Sequence, residues 1–263
     1  MTSSRPPTVP PAPAPGQDRR DLAVTRPWMR GGQTFLADAV ARLSDAELRA
    51  PSALPGWSRA HVVAHVARNA EALHRLATWA RTGIETPMYP DRETRAREIE
   101  SSSAAPAGVL RRELTDTAEA LEEALDALDG RTWQAGVRSA LGRPIPAAEI
   151  PWMRVREVWL HAVDLGSGVR VADLPAGVVD ALLDDATGTM SAREGCPAAR
   201  LEATDRERAW TLGGGGGGGG GVTLRGGAAD LLGWLVGRAD GSALTVHGPS
   251  GAPAAVPAAP HWL

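Results

Sequence analysis

This chain of 263 residues has no lysine, and all 28 of its basic side chains are arginine. Together with its abundance of Ala, Gly and Pro, this reads as the coding bias of a GC-rich genome, so no single arginine is informative by itself. There is one cysteine, Cys196, which rules out an intrachain disulfide. It sits in the loop-like Arg193-Glu-Gly-Cys-Pro197 with no base or motif around it, as an incidental free thiol. No apolar run approaches the ~20 residues needed to span a bilayer. Met1 to Gly16 carries six Pro and one charge and lacks the apolar centre of a signal peptide, which predicts a cytoplasmic protein. A net charge of −3 speaks against a nucleic-acid partner. What is present is a 43% hydrophobic composition, enough to build the core of one large domain or two ordinary ones.

The texture divides near residue 170. Residues 1–21 read as a disordered Pro/Ala-rich tail. Residues 22–170 read as a helical bundle, and 171–263 as a small α/β unit, giving an α+β protein overall. Helical spacing predicts helices at about Arg26–Leu43, from an N-cap at Ser58 to about Arg81, at Pro106–Leu128 and at Ala147–Leu165. Helix resumes near Glu93, Arg143-Pro-Ile-Pro146 blocks helix, and Gly166-Ser-Gly168 ends the fourth helix. Beyond 170, helices at about 175–190 and Ala228–Val236 alternate with strand-like pieces Arg200–Ala203, Arg208–Leu212, Val222–Leu224 and Ala243–His247. Nine consecutive glycines, Gly213 to Gly221, lie between two of those pieces. A phosphate-binding loop needs a following helix N-terminus and a lysine, and neither is here, so the run reads as an expanded hairpin loop.

Two helices carry unusual residues on their apolar faces. In Pro151-Trp-Met-Arg-Val-Arg-Glu157-Val-Trp-Leu-His161, a carboxylate and an imidazole four positions apart share one side with Ile150, Met153 and Leu160. His65 shares its side with Val62, Leu73 and Leu76. A buried carboxylate must meet a partner, take a proton or bind a cation. Two His and one carboxylate form the three-ligand set of an open zinc site. His61, near the same face, and Asp164, beyond Glu157, compete as ligands on this reading.

Leu54-Pro-Gly-Trp-Ser-Arg-Ala-His-Val-Val-Ala-His-Val-Ala-Arg-Asn-Ala70 resembles the signature helix of the mycothiol-dependent maleylpyruvate isomerase family. Arg154-Val-Arg-Glu-Val-Trp-Leu-His-Ala-Val-Asp-Leu165 resembles its second motif, and both belong to that family's DinB-like four-helix metal-binding bundle. The stretches Tyr89–Glu100 and Ala228–Arg238 and the Pro260-His-Trp-Leu ending are similar as well. The resemblance implies metal ligands at His65, Glu157 and His161, with His61 and Asp164 as neighbours. It also implies substrate-binding arginines at Arg95 and Arg238, zinc or another divalent metal, and mycothiol as cofactor. The implied partners are mycothiol and a small dicarboxylate, with no nucleic acid and no membrane, for a protein acting as a monomer. The implied reaction adds the mycothiol thiolate to the cis double bond of maleylpyruvate, lets the bond rotate, and expels the thiol to leave fumarylpyruvate. Two other activities are compatible with the same ligands: a mycothiol S-transferase acting on electrophiles, and a regulatory bundle without turnover. The glycine run and the Pro/Ala tail depart from the family pattern.

Overall fold

The structure is a computed structural model that describes residues 19–214 and 221–259. Nearly all of the predicted tail, the middle of the glycine run and the family-like Pro260-His-Trp-Leu ending lie outside the described residues. The chain divides into two compact units, Met1–Val169 and Arg170–Leu263.

The first unit is a helical bundle of α1 (Leu22–Ala41), α2 (Asp45–Arg49), α3 (Arg59–Thr82), α4 (Arg92–Ser103), α5 (Ala107–Asp126) and α6 (Ile150–Asp164). The long helices α1, α3, α5 and α6 form a ring in which α3 packs on α5, α1 on α6 and α3 on α6, while α1 and α5 pack least closely. Leu73, Leu76, Leu110, Leu121, Leu125 and Ile150 are buried along their inner faces, at the spacing that the sequence shows. Between α1 and α6 the backbones approach closely, because a Cβ on Gly32 would collide with the Val158 and Trp159 side chains.

Three local features differ from the sequence expectation. Helix α1 starts four residues early, where the Asp21 side chain accepts from Ala23 N at 2.9 Å and caps it, so Pro27 falls inside the helix. The short α2 lies between the first two predicted helices, where the spacing predicts none. Its capping box pairs Ser44 with Glu47, which satisfies the free N–H groups of even a five-residue helix. The helix-blocking Pro144-Ile-Pro146 is strand β2, paired antiparallel with β1 (Gly136–Arg138), with Val137 and Ile145 buried.

The second unit contains α7 (Ala176–Met190), β3 (Ala199–Ala203), β4 (Ala209–Leu212), β5 (Val222–Gly226), α8 (Ala228–Leu235) and β6 (Thr245–His247). Its sheet has the order β4-β3-β5-β6, with β3 and β5 parallel and the other neighbours antiparallel. Leu201 and Leu224 from the sheet and Leu231 and Leu232 from α8 are fully buried. This order corrects the reading of the glycine run as a hairpin loop. Leu212 and Val222 both pair with Ala199, so the strands on either side of the run flank β3 at its start and do not pair with each other. A Cβ on Gly213 would lie 2.5 Å from Pro197 O, and one on Gly221 2.7 Å from Ala198 O. Both ends of the run therefore require glycine, because they graze the backbone that enters β3. Among the described residues, no helix is long and apolar enough to cross a membrane.

Candidate metal centre

The site is assembled where the start of α3 meets the end of α6. Ser58 caps α3, accepting from His61 N at 3.3 Å, while His61 Nδ1 accepts from Ser58 N at 3.2 Å. The imidazole thus does the work of the usual Glu or Gln of a capping box. His61 Nε2 faces Glu100 at 3.1 Å. Both ring nitrogens of this competing ligand are committed elsewhere. Arg59 then ties the two helices together, donating from Nε to Leu165 O and from Nη2 to Gly166 O, each at 2.8 Å. Ala53 N donates to Asp164 O at 2.9 Å. The unpaired carbonyls at the C-terminal end of α6 are thereby satisfied by the α3 entrance.

With the helices so held, His65, Glu157 and His161 bring one potential ligand atom each to within 4.8 Å of one another. His65 Nε2 lies 2.9 Å and His161 Nε2 3.3 Å from Glu157 Oε2. The two imidazoles meet edge to face at 4.7 Å, and Trp57 from the Leu54-Pro-Gly-Trp57 loop packs against His65 at 5.6 Å. His65 is 5% exposed, which makes its polar partners decisive.

Behind this trio stands a second set of contacts. Asp164, 1% exposed, meets His161 Nδ1 at 2.9 Å and turns Nε2 toward Glu157. The other competing group therefore stands behind the His161 ring, in the position that an orienting carboxylate takes behind a metal-binding histidine. Arg95 Nη2 lies 3.3 Å from His65 Nδ1. An arginine can only donate, so Nδ1 accepts and the ring proton sits on Nε2, facing Glu157. The Arg95 guanidinium also stacks over Tyr89, the chain's one tyrosine, at 5.6 Å. Arg154, one turn before Glu157, is wholly buried and donates to Val66 O at 2.7 Å and Asn69 Oδ1 at 2.9 Å.

The electrostatics follow from these contacts. Burial pushes the His65 imidazole down, against the pull of Glu157, and keeps it neutral. Burial would raise the Glu157 carboxyl, but hydrogen bonds from His161 and His65 hold it well below its ordinary value. Burial also acts to lower His161, yet Asp164 and Glu157 win and raise it to about 9. Burial draws Arg154 down to about 10 despite Glu157 and Tyr89, and it raises the Tyr89 phenol, so that group stays protonated. Two imidazole nitrogens and a carboxylate, the second imidazole backed by Asp164, suit a borderline divalent ion such as zinc with a coordination position left open.

Residues 29–166 match the family model of the mycothiol maleylpyruvate isomerase N-terminal domain, and residues 173–255 match that of the MDMPI C-terminal domain. The fold matches the crystal structure of a mycothiol-dependent maleylpyruvate isomerase with a TM-score of 0.83 at 32% identity, over 92% of this chain and 97% of that one. The chain belongs to the mycothiol-dependent maleylpyruvate isomerase family. A crystal structure of a histidine-to-alanine mutant of the mycothiol-dependent maleylpyruvate isomerase matches with the same TM-score at 31% identity and the same coverage. No curated protein matches this chain.

Within this isomerase-family chain, the structure brings Arg95 to the three candidate ligands. Arg238 belongs to the second unit, where it follows α8 and Gly237 and donates from Nη1 to Val236 O at 2.6 Å. The sequence reading assigned no role to Tyr89 or Arg154. Arg154 did carry a signal: it is a charge on the inward face of α6, one turn from Glu157. Tyr89 carried none beyond being the chain's one tyrosine.

Proposed function

We propose that this chain is a metal- and mycothiol-dependent cis–trans isomerase of maleylpyruvate or a closely related unsaturated dicarboxylate. The observation that carries the reading is the convergence of His65, Glu157 and His161, with Arg95 beside them, in a chain of this family. We assign the three as ligands of one divalent ion, zinc by the chemistry of the donor set. When bound, that ion supplies the acidity that keeps the mycothiol thiol deprotonated near neutral pH. The protein's own part is to bind and orient. Asp164 fixes the His161 ring, and Trp57 covers the His65 ring. Arg95 and Arg238 take the substrate carboxylates. Arg95 also stabilises the enolate that forms when thiolate adds to the double bond next to the ketone. Rotation about the former double bond and loss of the thiol then give fumarylpyruvate and regenerate the cofactor. No cysteine of the chain takes part.

The test is turnover by zinc-loaded protein with mycothiol and maleylpyruvate, followed by fumarylpyruvate formation and by free thiol. The expected result is isomerisation with no net thiol consumed, lost in His65→Ala. Full turnover without thiol overturns the reading. A stable thioether in place of recycled thiol makes the protein an S-transferase instead, and absence of both makes it a binding bundle.

A further inference from the structure

Apart from its fellow candidate ligands, His65 has two unlike neighbours. One is Arg95, which faces its Nδ1 at 3.3 Å with the positive charge that suits a carboxylate. The other is Trp57, edge to face at 5.6 Å, whose indole also stacks on His61 at 6.1 Å.

Trp57 is half-buried and is held by its backbone. Its N donates to Leu54 O at 3.1 Å, and its O accepts from Ser52 N at 2.9 Å and from Ser52 Oγ at 2.8 Å. Gly56, at φ +78°, makes the turn that precedes it. The indole is therefore set in place before any ligand arrives, and little entropy is lost when its surface is used.

Glu100 extends the patch. Ser58 N donates to His61 Nδ1, so the ring proton sits on Nε2 and is donated to Glu100 Oε2 at 3.1 Å. That contact steadies a carboxylate whose side chain is still 77% exposed. Trp57, His61 and Glu100 thus join an aromatic surface to a fixed acceptor, directly beside a candidate metal ligand. Such a pairing suits a sugar, whose C–H face lies on the aromatic ring and whose hydroxyls donate to the carboxylate.

Mycothiol has a body of this kind: N-acetylcysteine joined through an amide to an uncharged pair of rings, glucosamine and inositol. Resting on the reading that its sulfur takes the open position of the centre, we infer that Trp57 and Glu100 form the subsite for its sugars. Trp57 stacks on a ring face, Glu100 accepts from hydroxyls, and Arg95 is left for the substrate carboxylate. The patch thereby distinguishes mycothiol from smaller thiols that the metal alone would accept.

The test is calorimetric titration of the zinc-loaded full chain with mycothiol and with N-acetylcysteine methylamide, which keeps the thiol and the amide but lacks the sugars. Mycothiol binds at least about tenfold more tightly than the methylamide. Trp57→Leu brings mycothiol to within about threefold of the methylamide, with methylamide affinity and bound zinc unchanged. Glu100→Ala, at an exposed position, weakens mycothiol about fivefold, the equivalent of one hydrogen bond, and leaves the methylamide as it was. It decides the matter should Trp57→Leu lose its fold or its zinc. A Trp57 that only shapes the centre would weaken both thiols together and leave their ratio intact. Equal affinity for the two thiols, or an undiminished ratio in a folded variant, overturns the sugar subsite and leaves the metal–thiol reading in place. Failure of both thiols to bind overturns that reading and the subsite with it.

Discussion

At the residue scale, two protons decide how the centre would take up a metal. His161 is raised to about 9 by Asp164 and Glu157, so near neutral pH it is an imidazolium when no metal is bound. A metal on its Nε2 must displace that proton. Zinc affinity should therefore rise with pH by up to about tenfold per unit until about 9, with about one proton released per ion. Titration calorimetry in buffers of different ionisation enthalpy reads that proton directly. Asp164→Asn keeps the shape of the contact but withdraws the negative charge behind His161. It should weaken zinc by about 10- to 100-fold, the usual cost of losing an orienting carboxylate. The second proton is on His65. A metal on Nε2 moves it to Nδ1, where it confronts the Arg95 N–H now 3.3 Å away. Arg95 and zinc thus compete for His65. Arg95→Met should bind zinc about fivefold more tightly, the equivalent of one hydrogen bond, while losing affinity for the dicarboxylate. Zinc affinity that falls in this variant would refute the competition.

At the element scale, the placement of α6 governs everything on it. Glu149 stands at its N-terminus, where negative charge is favoured, and is clamped by Arg20 at 3.0 Å and Arg143 at 2.8 Å. Burial works to raise its carboxyl, but hydrogen bonds from Arg143 and Arg20 hold it below 4.5. A depressed native value means the stabilisation is complete above about 4.5 and is lost as pH falls through the native value. Both arginines are half exposed, so solvent screening limits the effect to about 1 kcal/mol. Glu149→Gln should show that deficit in urea unfolding at neutral pH and converge with the wild type in acid. Helix α1 is seated against the other side of α6 at Gly32, where any side chain collides with Val158 and Trp159. Gly32→Ala should cost about 1–3 kcal/mol through overpacking. It should also disturb Trp159, whose Nε1 donates to Trp28 O at 3.0 Å, giving a changed tryptophan emission.

At the scale of the whole molecule, the candidate ligands and the candidate arginines are divided unequally between the units. His65, Glu157, His161 and Arg95 all lie in the first, and Arg238 in the second. A fragment spanning 19–169 contains the whole bundle with its own buried core. It should fold and bind zinc with an affinity within about threefold of the full chain. It should not isomerise maleylpyruvate, because Arg238 is missing. A fragment that turns over at the full rate would remove Arg238 from the reaction.

The sequence by itself determined the helices and most of the candidate centre. Apolar residues every three or four positions mark an inward face wherever the partner helix lies, so His65, Glu157 and His161 stood out as polar groups on such faces. Ser58 and Gly166, residues whose chemistry favours helix ends, marked where α3 starts and α6 stops. What the side-chain spacing left open among His61, Asp164 and the three turns on which ring nitrogens are already engaged, and only the tertiary structure shows those contacts. The Ser58 cap takes one nitrogen of His61 and Glu100 the other, and Asp164 reaches the far side of the His161 ring. That the strands before and after the glycine run lie on opposite sides of β3 was likewise settled by pairing between distant strands. Strand periodicity shows which side chains face inward but is silent on which strand lies next to which.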